Sequence, residues 1–205
     1  IILGMFIFAI QDSIVKYIYK SISLYEMYVI RSTISFLVVV FYLKITKKSI
    51  IFKTHYPILT TARVVFFFFG FSSFYISLTI MPLATATALF FCSPFITTIL
   101  ARFILKDKIG IQRWLAVLVG FFGVYIVLDP DFSNFDYLSL LPILCAFCYS
   151  FSMIIIKKTS DKDNVYAQMF QFYIAAIIIS VIFYFFIGNG QYNTTSNSAH
   201  QFIFR

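Results

Sequence analysis

The chain has 205 residues, of which 61% are hydrophobic and 12% charged, with a mean hydropathy of +0.92. An ordinary soluble domain is about 45–50% apolar and about 25% charged, so this composition excludes one and implies a membrane protein. The net charge of +8 could suggest nucleic acid, but the basic residues are divided among short connections with no binding fold between them, which speaks against that partner.

Apolar runs recur in chain order at 1–19, 24–43, 57–80, 83–105, 111–128, 137–156 and 165–187. Each is close to the roughly 20 residues a helix needs to cross a bilayer core. Backbone amides in hydrocarbon must be satisfied within the protein, so the choice lies between a helix bundle and a closed barrel; the runs are too long and too continuously apolar for barrel strands. The predicted fold class is all-α integral membrane, with seven transmembrane helices. The first run starts at Ile1 without Met or a basic n-region, so it reads as a cropped helix more than a signal peptide, and the chain reads as a fragment. The polar, turn-rich stretch GNGQYNTTSNSAHQF predicts an outer loop within 188–205, and its Asn193-Thr194-Thr195 sequon carries little weight.

Charge predicts orientation. Lys44, Lys47, Lys48 and Lys53 fill the second connection, Arg102, Lys106, Lys108 and Arg113 bracket the fourth, and Lys157, Lys158 and Lys162 occupy the sixth. The third and fifth, IMPL and DPDFSNFD, hold no Lys or Arg, and the first holds Lys20 near its start. The positive-inside rule therefore puts the N-terminus and the even connections in the cytoplasm of a bacterial inner membrane, with Asp129, Asp131 and Asp136 outside. The basic connections also suit anionic lipid head groups.

Ionisable residues inside spans are costly and face cavities or each other. The first run, with FAIQDSIVKYI at 8–18, puts Asp12 and Lys16 on one helical face with Met5 and Ala9, opposite an apolar face of Leu3, Ile7, Ile10 and Ile14. Given the predicted orientation, Lys16 and Glu26 lie near the outer surface, with Asp12 and Arg31 about 6 to 8 Å deeper. This neutral quartet has two readings: ion pairs that pin helix 1 to helix 2, with Asp12 meeting Lys16 or Arg31, or the lining of a wet cavity that holds a charged substrate group or coupling ion. Lys16, Glu26 and Arg63 are expected to extend toward the interfaces. Cys92, Cys145 and Cys148 fall in spans and read as small packing residues; no metal site or cofactor is expected.

In the fourth run Ala84, Thr87, Phe91, Pro94 and Thr98 share a face, and Pro94 frees a carbonyl one turn back that neighbours must satisfy. Gly120 and Gly123 in the fifth run would let another backbone come near. The block at 81–130, MPLATATALFFCSPFITTILARFILKDKIGIQRWLAVLVGFFGVYIVLDP, resembles the end of the first repeat in the EamA family of the drug/metabolite transporter superfamily: a PLATATAL helix start, Ser93-Pro94 in mid-helix, an acid in a basic turn, then RW and GFFGVYIVL. DSIVKYI and YEMYVIRS resemble its helices 1 and 2, and Asp107 stands where the family most often has Glu. The resemblance implies ten helices in two inverted five-helix repeats, with the first repeat at 1–130 and the start of the second at 131–187, and a site near the midplane between repeats. AIQDSIVKYIYK lies over AFCYSFSMIIIK, where Asp12 and Lys16 have no charged counterparts, so that site would be asymmetric.

The resemblance further implies a secondary transporter of a small polar metabolite working by alternating access. Within the family, LTIMPLATAT and IQRWLAVLVGFFGV are most similar to carriers for S-adenosylmethionine uptake. On that implication the substrate-binding residues are Asp12, Lys16, Arg31, Phe91, Pro94 and Tyr149: Arg31 for a carboxylate, Asp12 for a cation, and Phe91 or Tyr149 for stacking an adenine ring. No GxxxxGK[ST] loop is present for an ATP motor, and no His or HExxH lies in the spans to support an enzyme. A drug or metabolite exporter and a structural or regulatory membrane protein remain as alternative readings, and a homodimer stays open.

Overall fold

The computed structural model describes residues 2–47, 54–128, 137–187 and 201–203. Eight α-helices follow one another there: α1 (Ile2–Ile18), α2 (Leu24–Ile45), α3 (Pro57–Ser77), α4 (Leu83–Phe90), α5 (Ser93–Ile104), α6 (Ile111–Leu128), α7 (Leu141–Thr159) and α8 (Val165–Ile187). A short 3₁₀ turn, Tyr137–Leu140, leads into α7, and no strand occurs among the described residues. Each predicted apolar run is helical, and five stretches are long and apolar enough to cross a membrane: Leu24–Ile45, Pro57–Ser77, Leu83–Ile104, Leu141–Thr159 and Val165–Phe186. Lys48, Lys53, the acids at 129–136, the sequon and most of the predicted outer loop lie outside the described residues.

Local chemistry accounts for the helix ends. Ser23 and Glu26 close a capping box at the start of α2: the Ser23 N–H donates to Glu26 Oε2 at 2.9 Å and the Glu26 N–H to Ser23 Oγ at 3.4 Å. Glu26 is thus a cap, where an extended side chain near the interface was expected. Pro57, Pro94 and Pro142 occupy first turns, where a missing N–H costs nothing. The fourth run, expected as one helix, is two. Pro94 has no N–H for the Phe90 carbonyl, and the chain tightens so that the Cys92 N–H bonds Leu89 O at 3.3 Å, dividing α4 from α5.

The helices pair in definite directions. Tyr25 meets Tyr184, Phe36 meets Phe170 and Tyr42 meets Tyr166, so α2 and α8 are antiparallel. Phe66 stacks on Phe151 at 5.5 Å and Ser152 Oγ donates to Arg63 O at 3.2 Å, which sets α3 antiparallel to α7. Ser150 bonds Ser93 O at 3.0 Å near one end and Lys157 meets Asp107 at 2.5 Å near the other, so α5 runs parallel to α7. A Cβ at Gly70 would stand 2.8 Å from the Cys148 Cβ, so the α3–α7 approach requires glycine there. Gly120 and Gly123, expected to admit another backbone, have nothing within 4 Å of such an atom. α6 packs on α4 and α5 and leaves those glycines on its open side.

The core gathers Tyr28, Phe68, Phe71, Phe74, Tyr75, Leu78, Met81, Ala86 and Cys145. All three cysteines are free, with Cys145 and Cys148 buried as packing residues. α1 lies on the outside of this core. Leu3, Ile7, Ile10 and Ile14 are exposed, as its predicted apolar face requires, and Val15 points inward and is buried.

Described parts of the second, fourth and sixth connections meet at one end of the bundle, through Thr54, His55, Asp107 and Asp163. Asp163 accepts from the His55 N–H at 2.7 Å, the His55 ring at 3.2 Å and the Thr54 hydroxyl. Its side chain has no exposed surface. Close by, Arg63 corrects its predicted extension toward the interface: it is buried, and it donates to Gln168 O at 2.7 Å and Gln168 Oε1 at 3.4 Å, tying α3 to α8.

Candidate functional site

The buried face of α3 presents Phe68, Phe71, Ser72 and Tyr75 at helical spacing, and a buried tyrosine hydroxyl needs partners. They come from two other helices. Gln11 Nε2 on α1 donates to the Tyr75 hydroxyl at 3.1 Å, and Arg31 Nη1 on α2 donates to the same oxygen. The Arg31 guanidinium also lies 5.9 Å from the Tyr28 ring centroid and 5.8 Å from that of Tyr75, within reach of both π faces. The Tyr28 hydroxyl is held by Ser72 and donates to Phe68 O, each at 3.4 Å.

Asp12 completes this group from α1. It is half-buried, and its charge and that of Arg31 act on each other. No direct ion pair joins Asp12 to Arg31 or to Lys16; the acid–base side-chain contacts among the described residues are the His55–Asp163 hydrogen bond and the Lys157–Asp107 ion pair. Asp12 Oδ1 is buried and accepts no hydrogen bond. An orphaned carboxylate oxygen inside a protein is expensive, which makes Asp12 the candidate residue of this junction.

The expected quartet therefore divides. Lys16 neither reaches out to the interface nor pairs with Asp12. It donates to the carbonyls of Leu78 and Met81 (2.9 Å for the latter), at the end of α3 where backbone acceptors lack helical donors. It thereby fastens α1 to the α3–α4 turn. Arg31 and Asp12 stay with Tyr75 and Gln11 at the junction of α1, α2 and α3.

The aromatic part of the expected site lies next to it. Tyr149 on α7 stands 5.5 Å from Phe90, 6.1 Å from Phe67 and 6.2 Å from Phe71, ring centre to ring centre, and Phe71 continues to Tyr75 at 6.1 Å. The α4 ring that meets Tyr149 is Phe90. Phe91 sits half-buried at the α4–α5 break, where its N–H bonds Thr87 O. Pro94 is exposed at the start of α5, and its carbonyl accepts the Thr98 hydroxyl at 2.7 Å. Gln11, Tyr75 and Phe90 were not singled out from the sequence. The signal for Tyr75 was its place on the apolar face of the third run, one helical turn after Phe71 and two after Phe68.

The EamA-like transporter family model matches residues 1–129. The chain belongs to the EamA-like transporter family. It is 32% identical over 173 residues to the S-adenosylmethionine uptake transporter of Rickettsia prowazekii (strain Madrid E), a match covering 84% of this chain and 58% of that protein. It is 35% identical over 129 residues to the S-adenosylmethionine uptake transporter of Rickettsia bellii (strain RML369-C), covering 63% of this chain and 44% of that protein. The riboflavin transporter of Vibrio cholerae serotype O1 (strain ATCC 39315 / El Tor Inaba N16961) is 37% identical over 84 residues, 41% of this chain and 28% of that protein. The chain thus spans about half the length of these curated relatives. No solved structure matches it. The relatives are named as transporters and not as enzymes, and the EamA-like chain is an all-helical, multi-pass membrane protein.

Proposed function

We propose that this EamA-like chain carries a small polar metabolite across a bacterial inner membrane by alternating access, and that the metabolite is S-adenosylmethionine, taken up into the cell. The observation that carries this reading is the junction of α1, α2 and α3, where Asp12 and Arg31 hold opposite charges without neutralising each other directly and Asp12 Oδ1 has no partner. Two charges kept apart inside a membrane protein suit a ligand that meets both. The ring cluster of Phe90, Phe67, Phe71 and Tyr149 beside them suits an adenine. In this reading seven spans cross the bilayer, residues 1–130 form the first of two inverted repeats and 131–187 open the second. The N-terminus and the basic connections face the cytoplasm and its anionic lipids.

Uptake of labelled S-adenosylmethionine into proteoliposomes carrying the full-length protein tests the reading. Asp12→Asn and Arg31→Gln are expected to abolish uptake while membrane insertion stays intact. Uptake at the unmodified rate in both variants would return these residues to structural pairing. Thermal stabilisation by other metabolites, with none by S-adenosylmethionine, would remove that substrate. Riboflavin is the second reading: the same ring cluster suits a flat heterocycle, and a relative named as a riboflavin transporter is 37% identical over 84 residues.

A further inference from the structure

Hydrogen-bond capacity at the α1–α2–α3 junction can be counted group by group. The Tyr75 oxygen accepts from Gln11 on one side and Arg31 on the other, which occupies its acceptor capacity and leaves its own hydrogen to be donated. That hydrogen has no acceptor among the described residues. Arg31 carries five N–H donors, and the hydrogen bond it makes among the described residues is the one to Tyr75. Asp12 Oδ1 accepts nothing. Three helices thus bring together free donors on a cationic group and a phenol with a free acceptor on an anion.

We infer that this junction recognises the head group of an α-amino acid, the carboxylate bound by Arg31 together with the Tyr75 hydroxyl and the ammonium by Asp12, and that Tyr75 is the residue that sets this specificity. The inference rests on the transport reading above and narrows it to one end of the substrate. A carboxylate and an ammonium on the same carbon present an acceptor and a donor of opposite charge side by side, the complement of what the three side chains leave open. A neutral heterocycle offers hydrogen bonds but meets neither charge directly, leaving Asp12 and Arg31 with only each other across the junction. The Tyr75 side chain is fixed at both ends, since Gln11 and Arg31 hold its oxygen while Phe71 and Tyr28 flank its ring at 6.1 and 6.0 Å.

The test is competition for labelled S-adenosylmethionine binding to the purified full-length protein. Three unlabelled ligands serve: S-adenosylhomocysteine, which keeps the head group but has no sulfonium; decarboxylated S-adenosylmethionine, which has no carboxylate; and riboflavin. With the unmodified protein, S-adenosylhomocysteine is expected to compete within a few-fold of S-adenosylmethionine, and the decarboxylated compound to be weaker by about tenfold or more, the usual loss for one hydrogen bond to a charged group. Tyr75→Phe keeps the ring, and is expected to weaken carboxylate-bearing ligands about tenfold while leaving the decarboxylated compound unchanged. Equal competition by the decarboxylated compound overturns the inference without recourse to any variant. Equal losses for all ligands in Tyr75→Phe also overturn it, because a packing role would produce them. If labelled S-adenosylmethionine does not bind the unmodified protein while riboflavin does, the substrate reading itself falls. Binding with no preference for the head group sinks this inference alone.

Discussion

A single missing methyl governs how closely the two central helices meet. At Gly70 the added carbon of an alanine would lie 2.8 Å from Cys148 Cβ, with Cys145 backbone atoms at 3.5 and 3.7 Å. Gly70→Ala is therefore expected to lower stability by about 1–3 kcal/mol, as over-packing does elsewhere. Gly120→Ala and Gly123→Ala meet open space and are expected to be neutral or stabilising by up to about 1 kcal/mol, since alanine is the better helix former. Thermal unfolding of the three variants in one detergent checks the contrast, and equal melting points would refute it. The contrast also shows where residue-level reading stops. A glycine's backbone freedom belongs to the residue, but what stands opposite is decided by chain about 75 residues further on. Lys16 repeats the lesson: its acceptors, Leu78 O and Met81 O, are more than 60 residues away, so neither the pair with Asp12 nor the extended side chain could be rejected from local spacing. Asp12 and Arg31 were legible because a charge in an apolar run is anomalous wherever its partners lie. Tyr75 was not, because a tyrosine among phenylalanines is ordinary until its hydroxyl is seen to accept from two other helices.

Helices were more legible than their contacts. Hydropathy is a local sum, so every apolar run marked a helix, and Pro94 marked the weak point of the fourth even though the division into α4 and α5 was not foreseen. Contacts between connections depend on the whole chain, and Asp163 is the clearest case. Burial alone would raise its carboxyl, but the His55 N–H, the Thr54 hydroxyl and the His55 ring outweigh that and hold it below the usual carboxylate range. A carboxyl whose folded value is depressed stabilises the fold above the ordinary carboxylate value of about 3.9, and that contribution is lost as pH falls through the depressed value. The titratable and charged groups that act on it are His55 and Arg63, while the neighbouring Tyr56 bonds Asp161 and lies under Lys162. Melting temperature is thus expected to drop as pH is lowered below about 4. Asp163→Asn should be less stable at neutral pH by about 1–3 kcal/mol, because its amide N–H₂ faces donors, and should lose much of that acid-side drop. An unchanged acid profile in Asp163→Asn would show that other carboxyls dominate it.

At the scale of the molecule, helix directions and charge tell the same story. α1 with α3 and α5 with α7 run parallel, α2 with α8 and α3 with α7 antiparallel, and the described parts of the basic connections collect at one end. If that end is cytoplasmic, a membrane-impermeant maleimide should label Ser21→Cys from outside intact cells and Lys158→Cys only after permeabilisation. Both positions are exposed, and the native cysteines are buried or half-buried and give little background. The reverse pattern would invert the proposed orientation. Among the described residues, the contacts His55–Asp163 and Lys157–Asp107 both lie at that one end, while Lys16 donates to the Leu78 and Met81 carbonyls and Tyr25 to that of Ile203. Added salt would slacken the exposed Lys157 tether and spare the sealed Asp163 knot, so the two straps across that rim would not yield together.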